Sequence, residues 1–161
     1  MKTLTYLRSS TPENPALGYG DHWQLQEDGE TLSGGHCSTC PIPYKPSDLT
    51  PWIKFAAMVA PCETDFVCTD TKKFGKCLVI NDGYSVPTLN PNVNHEGKFF
   101  ATGVCVHSGG LNSHNKKWRG STACFTHPIE DWCNFIDLFT IGERGKLILK
   151  NFISENQHDN T

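Results

Sequence analysis

Apolar and polar positions alternate in short runs along most of this chain, and turn residues separate the runs. "TLTYLRS" (3–9) and "HWQLQED" (22–28) read as strands, with "DGE" at 28–30 as a turn. "FVCTD" and "KCLVIND" read as a strand pair about a turn at Lys72–Gly75. "KFFATGVCVH" (98–107) is a strand ending on a histidine, and "GKLILKNF" (145–152) is the last strand. Two segments read as loops: 33–51, rich in Gly, Ser and Pro, and the turn-rich 82–97. "PWIKFAAMVA" (51–60) fits a short helix or a strand, and its pattern does not choose between them.

One helix is well marked, from about Pro128 to about Phe139. Proline suits a first helical position, and Glu130 and Asp131 favour the positive end of the helix dipole. Ile129, Trp132, Cys133, Ile136 and Phe139 recur at three- and four-residue steps and define an apolar face. Gly142 suits the exit, and the tail "SENQHDNT" is polar and expected to fray. The expected fold is a mainly β, β-rich α+β single domain over residues 1–161, with one clear helix in its C-terminal half.

The length of 161 residues suits one domain with a real core, and 37% hydrophobic against 19% charged residues suits a soluble globular protein. The net charge of -3 offers no general attraction to nucleic acid or to an anionic membrane. Lys116, Lys117 and Arg119 form a local basic exception. The start "MKTLTYLRSSTPEN" holds no apolar run of signal-peptide length, and Lys54 interrupts the longest apolar stretch. The expectation is a protein made in the cytoplasm that meets an outside target only if delivered or released. Nothing in the sequence speaks to oligomeric state.

Eight cysteines, at 37, 40, 62, 68, 77, 105, 124 and 133, change the picture. "GGHCSTC" (34–40) places Cys37 and Cys40 beside His36. Three readings stay open: half of a zinc site completed by Cys62, Cys68 or Cys77, a disulfide, or reduced thiols. No second tight pair completes a zinc motif, so the metal expectation is none.

"VCVHSGGLNSHNKKWRGSTACFTHP" (104–128) holds a candidate thiol site. A cysteine nucleophile needs a base, oxyanion donors and access. His107 ends a strand, and seventeen positions later Cys124 follows the small residues Ser121, Thr122 and Ala123. Amides near Ala123 and Cys124 are the expected oxyanion donors. The Ser108 backbone carbonyl can fix the imidazole tautomer, as the third member of a triad does. Cys105 lies two strand positions before His107 and so faces the same side, where it can line the pocket, trap Cys124 as a disulfide, or be buried in the core. His114 sits in the excursion and reads as a surface group, His127 reads as a helix-start residue, and His22 and His95 lack evident partners.

The pattern resembles the L,D-transpeptidase (YkuD) family of peptidoglycan enzymes. That family carries a histidine, a gap of somewhat over a dozen residues, then Ser/Thr-His-Gly-Cys, an apolar residue and Arg or Asn. His107 in "VHSGG" matches the histidine, and in "STACFT" Ser121, Cys124 and Phe125 match the serine, nucleophile and apolar position. Thr122, Ala123 and Thr126 stand where the family has His, Gly and Arg or Asn. The resemblance covers about 76–150 and is that of a divergent member.

It implies an L,D-transpeptidase-like β-sandwich or barrel with Cys124 as nucleophile and His107 as base, oriented by Ser108. The partner is a peptidoglycan stem peptide, with Arg119 and Trp118 as substrate-binding candidates. The reaction is transpeptidation or carboxypeptidation through an acyl-enzyme, without cofactor, in a delivered effector or phage-borne protein. Two other classes compete: a non-catalytic structural or binding module, such as a virion component, with a degenerate site, and a Cys/His zinc module.

Overall fold

The structure, a computed structural model, describes residues 1–9, 19–40, 57–109 and 123–151. Among these lie ten strands: β1 Lys2–Arg8, β2 Asp21–Glu27, β3 Glu30–Cys37, β4 Cys62–Thr71, β5 Gly75–Ile80, β6 Val86–Asn92, β7 Lys98–Ala101, β8 Cys105–Ser108, β9 Phe125–His127 and β10 Arg144–Asn151. The helix α1 spans Ile129–Ile136. Eight strands make one sheet in the order β3-β2-β1-β10-β4-β5-β8-β9, while β6 and β7 pair separately. Most neighbours are antiparallel, but β1–β10 and β8–β9 are parallel. The protein is thus mainly β, as the alternation predicts.

The sheet curls into a nearly closed barrel. Just beyond β3, Ser38 and Thr126 of β9 exchange two backbone hydrogen bonds of 2.8 Å, which joins the two edge strands. Closure satisfies backbone groups that an open edge would leave exposed. Inward positions alternate along the strands and supply one core: Leu4, Tyr6, Trp23, Leu25, Phe66, Leu78, Val106, Phe125, Leu147 and Leu149 among them.

Helix α1 adds Phe135 and Ile136 to that core, followed by Phe139 just beyond its end. Phe135 meets Trp23 edge-on at 4.9 Å, and Phe139 meets Phe66 at 5.3 Å. Each ring buried this way contributes on the order of 2 kcal/mol. The helix is shorter than its apolar pattern, because Leu138 and Phe139 bond three residues back, to Phe135 and Ile136. Its buried face is also rotated from the expected one: Ile129 and Cys133 are exposed, and Phe135 takes their place inside. Gly142 belongs not to the helix exit but to the turn before β10, where its N–H donates to the Cys68 carbonyl at 2.7 Å.

Three segments depart from the sequence reading. The Gly-rich start of 33–51 is strand β3, not loop. A Cβ on Gly35 would lie 3.0 Å from Trp23 Nε1, and one on Gly34 3.0 Å from the Trp23 carbonyl. These glycines therefore mark close packing over the neighbouring strand, not a turn. Second, 82–97 contains β6, in which Val86, Thr88, Asn90 and Asn92 are buried and Pro87, Leu89 and Pro91 face out. Third, 98–107 is two strands, broken where Gly103 takes φ 64. β7 leaves for the small sheet, and β8 alone joins the barrel. Of 51–60, residues 51–56 lie outside the described residues, and Val59 bridges to Thr88.

Candidate active site

Strand alternation sends Leu78, Val106 and Phe125 into the barrel, so the flanking Cys77, Cys105, His107 and Cys124 face outward. Register brings them together. Leu78 pairs with Val106 on β5–β8, and Val106 pairs with Phe125 on β8–β9. Cys105 and Cys124, each one residue earlier on parallel neighbours, therefore stand side by side. The Cys105 amide points at Cys124 Sγ at 3.4 Å.

His107 Nδ1 lies 2.8 Å from the Ser108 carbonyl oxygen. A carbonyl only accepts, so Nδ1 carries the hydrogen and Nε2 is left to meet Cys124. Phe74 covers the other face of the imidazole, with ring centroids 3.9 Å apart and planes 7° apart. Phe74 is held by its own hairpin: Thr71 Oγ1 accepts from its amide at 3.0 Å and donates to the Gly75 carbonyl at 3.1 Å. Thr71 Oγ1 also lies 3.7 Å from Cys77 Sγ.

The electrostatics favour a thiolate. Hydrogen bonding from the Cys105 thiol, opposed by burial and aided by His107 and the Cys105 amide, brings the Cys124 thiol down to about 5. Cys105 is pushed up, first by its thiol hydrogen bond to Cys124 and then by that to Cys77. Cys77 is lowered to about 7, mainly by the same Cys105 thiol against burial. Burial pulls His107 down, but its bonds to Cys124 and the Ser108 carbonyl outweigh this and raise it. The arrangement is an imidazolium beside a thiolate, with Cys105 as the neutral donor between two thiols. Cys124 is half-buried and so open to a reagent, whereas Cys105 is 8% exposed and Cys77 0%.

Compared with known proteins, the chain matches no family model, no curated protein and no solved structure.

Of the residues singled out from sequence, Cys124, His107, Ser108 and Cys105 converge. Ala123 is buried and lies outside the set of non-glycine residues with positive φ, so it bears its side chain without strain. Ser121, Thr122, Arg119, Trp118, Lys116, Lys117 and His114 lie outside the described residues. The pattern alone missed Phe74 and the placement of Cys77. Both come from the β4–β5 hairpin, and the only available signal was the outward parity of Cys77 on a strand.

Several polar residues have other places than expected. His127 is not a helix-start group: it is wholly buried on β9, with Nε2 2.9 Å from the Tyr6 hydroxyl and Nδ1 without a hydrogen-bond partner. Burial, with a smaller contribution from His107, lowers it to about 3. His22 stacks across strands on His36 at 4.7 Å, and His95 packs on Phe100 at 4.4 Å. Glu130 and Asp131 do occupy the first turn of α1. All eight cysteines are described and none is in a disulfide. Cys37 and Cys40 are buried, and among the described residues no three His, Cys, Asp or Glu groups are placed to hold a metal ion. No helix among the described residues is long and apolar enough to cross a membrane.

Proposed function

We propose that this protein is a cysteine-dependent acyltransferase or peptidase, with Cys124 as nucleophile and His107 as acid and base. The observation that carries the reading is the Ser108 carbonyl–His107–Cys124 relay, in which one carbonyl fixes the tautomer that faces the thiol. The Cys124 thiolate attacks a peptide carbonyl and forms a thioester. The His107 imidazolium gives its proton to the leaving amine. An incoming amine or water then loses a proton to His107, attacks the thioester and restores the thiolate.

The resemblance of "VHSGG" and "STACFT" to the L,D-transpeptidase motif names the substrate class. It is a peptidoglycan stem tetrapeptide, cut between its third residue and the terminal D-alanine, in transpeptidation or carboxypeptidation. A divergent motif of this kind, with Thr122 and Ala123 where the family has His and Gly, fits a delivered effector or a phage-borne enzyme. The test is incubation with purified disaccharide tetrapeptide, followed by mass spectrometry. Loss of one alanine or formation of a cross-linked dimer, both absent in Cys124→Ala, supports the reading. No product from folded protein refutes it.

A further inference from the structure

We propose that Cys124 and Cys105 form a peroxide-reactive pair, in which a hydroperoxide oxidises Cys124 and Cys105 then closes a reversible disulfide on it. The inference goes beyond acyl transfer and needs no cell-wall substrate.

The geometry carries it. The parallel register Val106↔Phe125 puts Cys105 of β8 and Cys124, the residue that leads into β9, at the same level and on the same outer face. Adjacent strands lie about 4.8 Å apart, inside the Cα separation of about 4.4–6.8 Å that a disulfide spans. The Cys105 amide already sits 3.4 Å from Cys124 Sγ, so little backbone movement is required. Access orders the two roles: Cys124 is partly exposed and meets the oxidant, while Cys105 is buried at 8% exposure. Acyl transfer uses only the Cys105 amide and thiol as donors and leaves its nucleophilicity unused.

The steps balance. The Cys124 thiolate attacks one peroxide oxygen and the O–O bond breaks. The alcohol (water, from hydrogen peroxide) leaves with the proton from His107, and Cys124 becomes a sulfenic acid. The Cys105 sulfur attacks the sulfenic sulfur, and hydroxide leaves as water with the proton that Cys105 loses. Two thiols are oxidised by two electrons in all, and one peroxide is reduced. A small thiol reductant reverses the bridge by exchange. The pair thereby keeps the nucleophile from the irreversible sulfinic stage.

The experiment treats the fully reduced intact protein with stoichiometric hydrogen peroxide, blocks remaining thiols with N-ethylmaleimide, and maps the peptides. Trypsin cuts at Lys116, Lys117 and Arg119, so Cys105 and Cys124 fall on different peptides. Cys133 shares the Cys124 peptide, and a Cys133→Ser background removes that ambiguity. The expected result is a Cys105–Cys124 bridge that dithiothreitol reverses. In Cys105→Ser, Cys124 should stop at a dimedone-reactive sulfenic acid and reach sulfinic acid about tenfold faster than in the parent. Cys77→Ser should leave the bridge intact. A bridge from Cys77, one between molecules, or equal over-oxidation with and without Cys105 overturns the proposal. So does Cys124 staying reduced while the exposed Cys133 oxidises in unmutated protein. The mapping on unmutated protein decides even if Cys105→Ser fails to fold. Tetrapeptide turnover is scored separately, so loss of one reading leaves the other standing.

Discussion

Phe74 lies flat against His107, 3.9 Å from centroid to centroid, one from the β4–β5 turn and the other from β8. The ring bars one face of the imidazole from solvent and presents a π-surface to its cationic form, which is worth about 0.5–1 kcal/mol. Phe74→Leu is therefore expected to lower the His107 pKa and to slow Cys124 alkylation near pH 5, where the thiolate is half formed, by roughly two- to threefold. Histidine NMR titration and iodoacetamide kinetics check the two effects. Phe74→Tyr, which keeps the ring, should restore both. An unchanged His107 titration in Phe74→Leu would remove the stack from the account.

Cys124 should behave as a thiolate well below neutrality. Its thiol is held at about 5, against about 8.5 for an ordinary cysteine. Alkylation of Cys124 should rise through about pH 5. His107→Gln should move the Cys124 midpoint upward. The sign for stability follows from the depressed value. The thiolate's contribution is present in full above the unfolded thiol range, and it is lost as pH falls through about 5. Site-resolved alkylation followed by mass spectrometry measures the midpoint.

Buried His127 should make the fold acid-sensitive. The folded protein keeps it neutral down to about 3, whereas an unfolded histidine protonates near 6.5. Between these values the unfolded chain binds more protons, so stability falls as pH falls. The cost is on the order of 1 kcal/mol per pH unit below about 6.5. In His127→Gln this slope should shrink, because the other histidines remain common to both proteins. Urea midpoints at pH 7 and pH 5 give the comparison. Equal slopes would show that His127 is not the group responsible.

Asp21 and Arg8 hold the end of β1 to the segment that closes the barrel. Both are 1% exposed. Asp21 Oδ2 accepts from the Thr39 amide and hydroxyl, each at 2.9 Å, and Arg8 Nε donates to that hydroxyl at 2.8 Å. Arg8 Nη1 also donates to the Val59 carbonyl. Removing one charge strands the other, so Asp21→Ala should cost about 3–5 kcal/mol. The double variant Asp21→Leu with Arg8→Met should cost less than the sum of the two single changes. Chemical denaturation of the four proteins closes the cycle, and strict additivity would show that the charges are not coupled.

The alternation of β1, β2, β4, β5 and β10, the amphipathic run of α1 and the His107–Ser108 contact were legible in the chain. Each depends on neighbours within a few residues, where side-chain periodicity and backbone reach act directly. The glycines of β3 read as loop because their reason for being glycine is Trp23 on the next strand. The single run 98–107 read as one strand because nothing local shows that β7 and β8 serve different sheets. His127 read as a helix-start residue because only Tyr6, Trp23 and Phe135, from three other elements, make its burial tolerable.

Sequence alone determined the mainly β class and a histidine and a cysteine that strand pairing can bring together. Tertiary structure alone decided that Cys77 and Phe74 join them and that Cys105 lines the site as well as being buried. Strand register sets which residues stand level, and it comes from pairing between distant segments and barrel closure at Ser38–Thr126, not from local pattern.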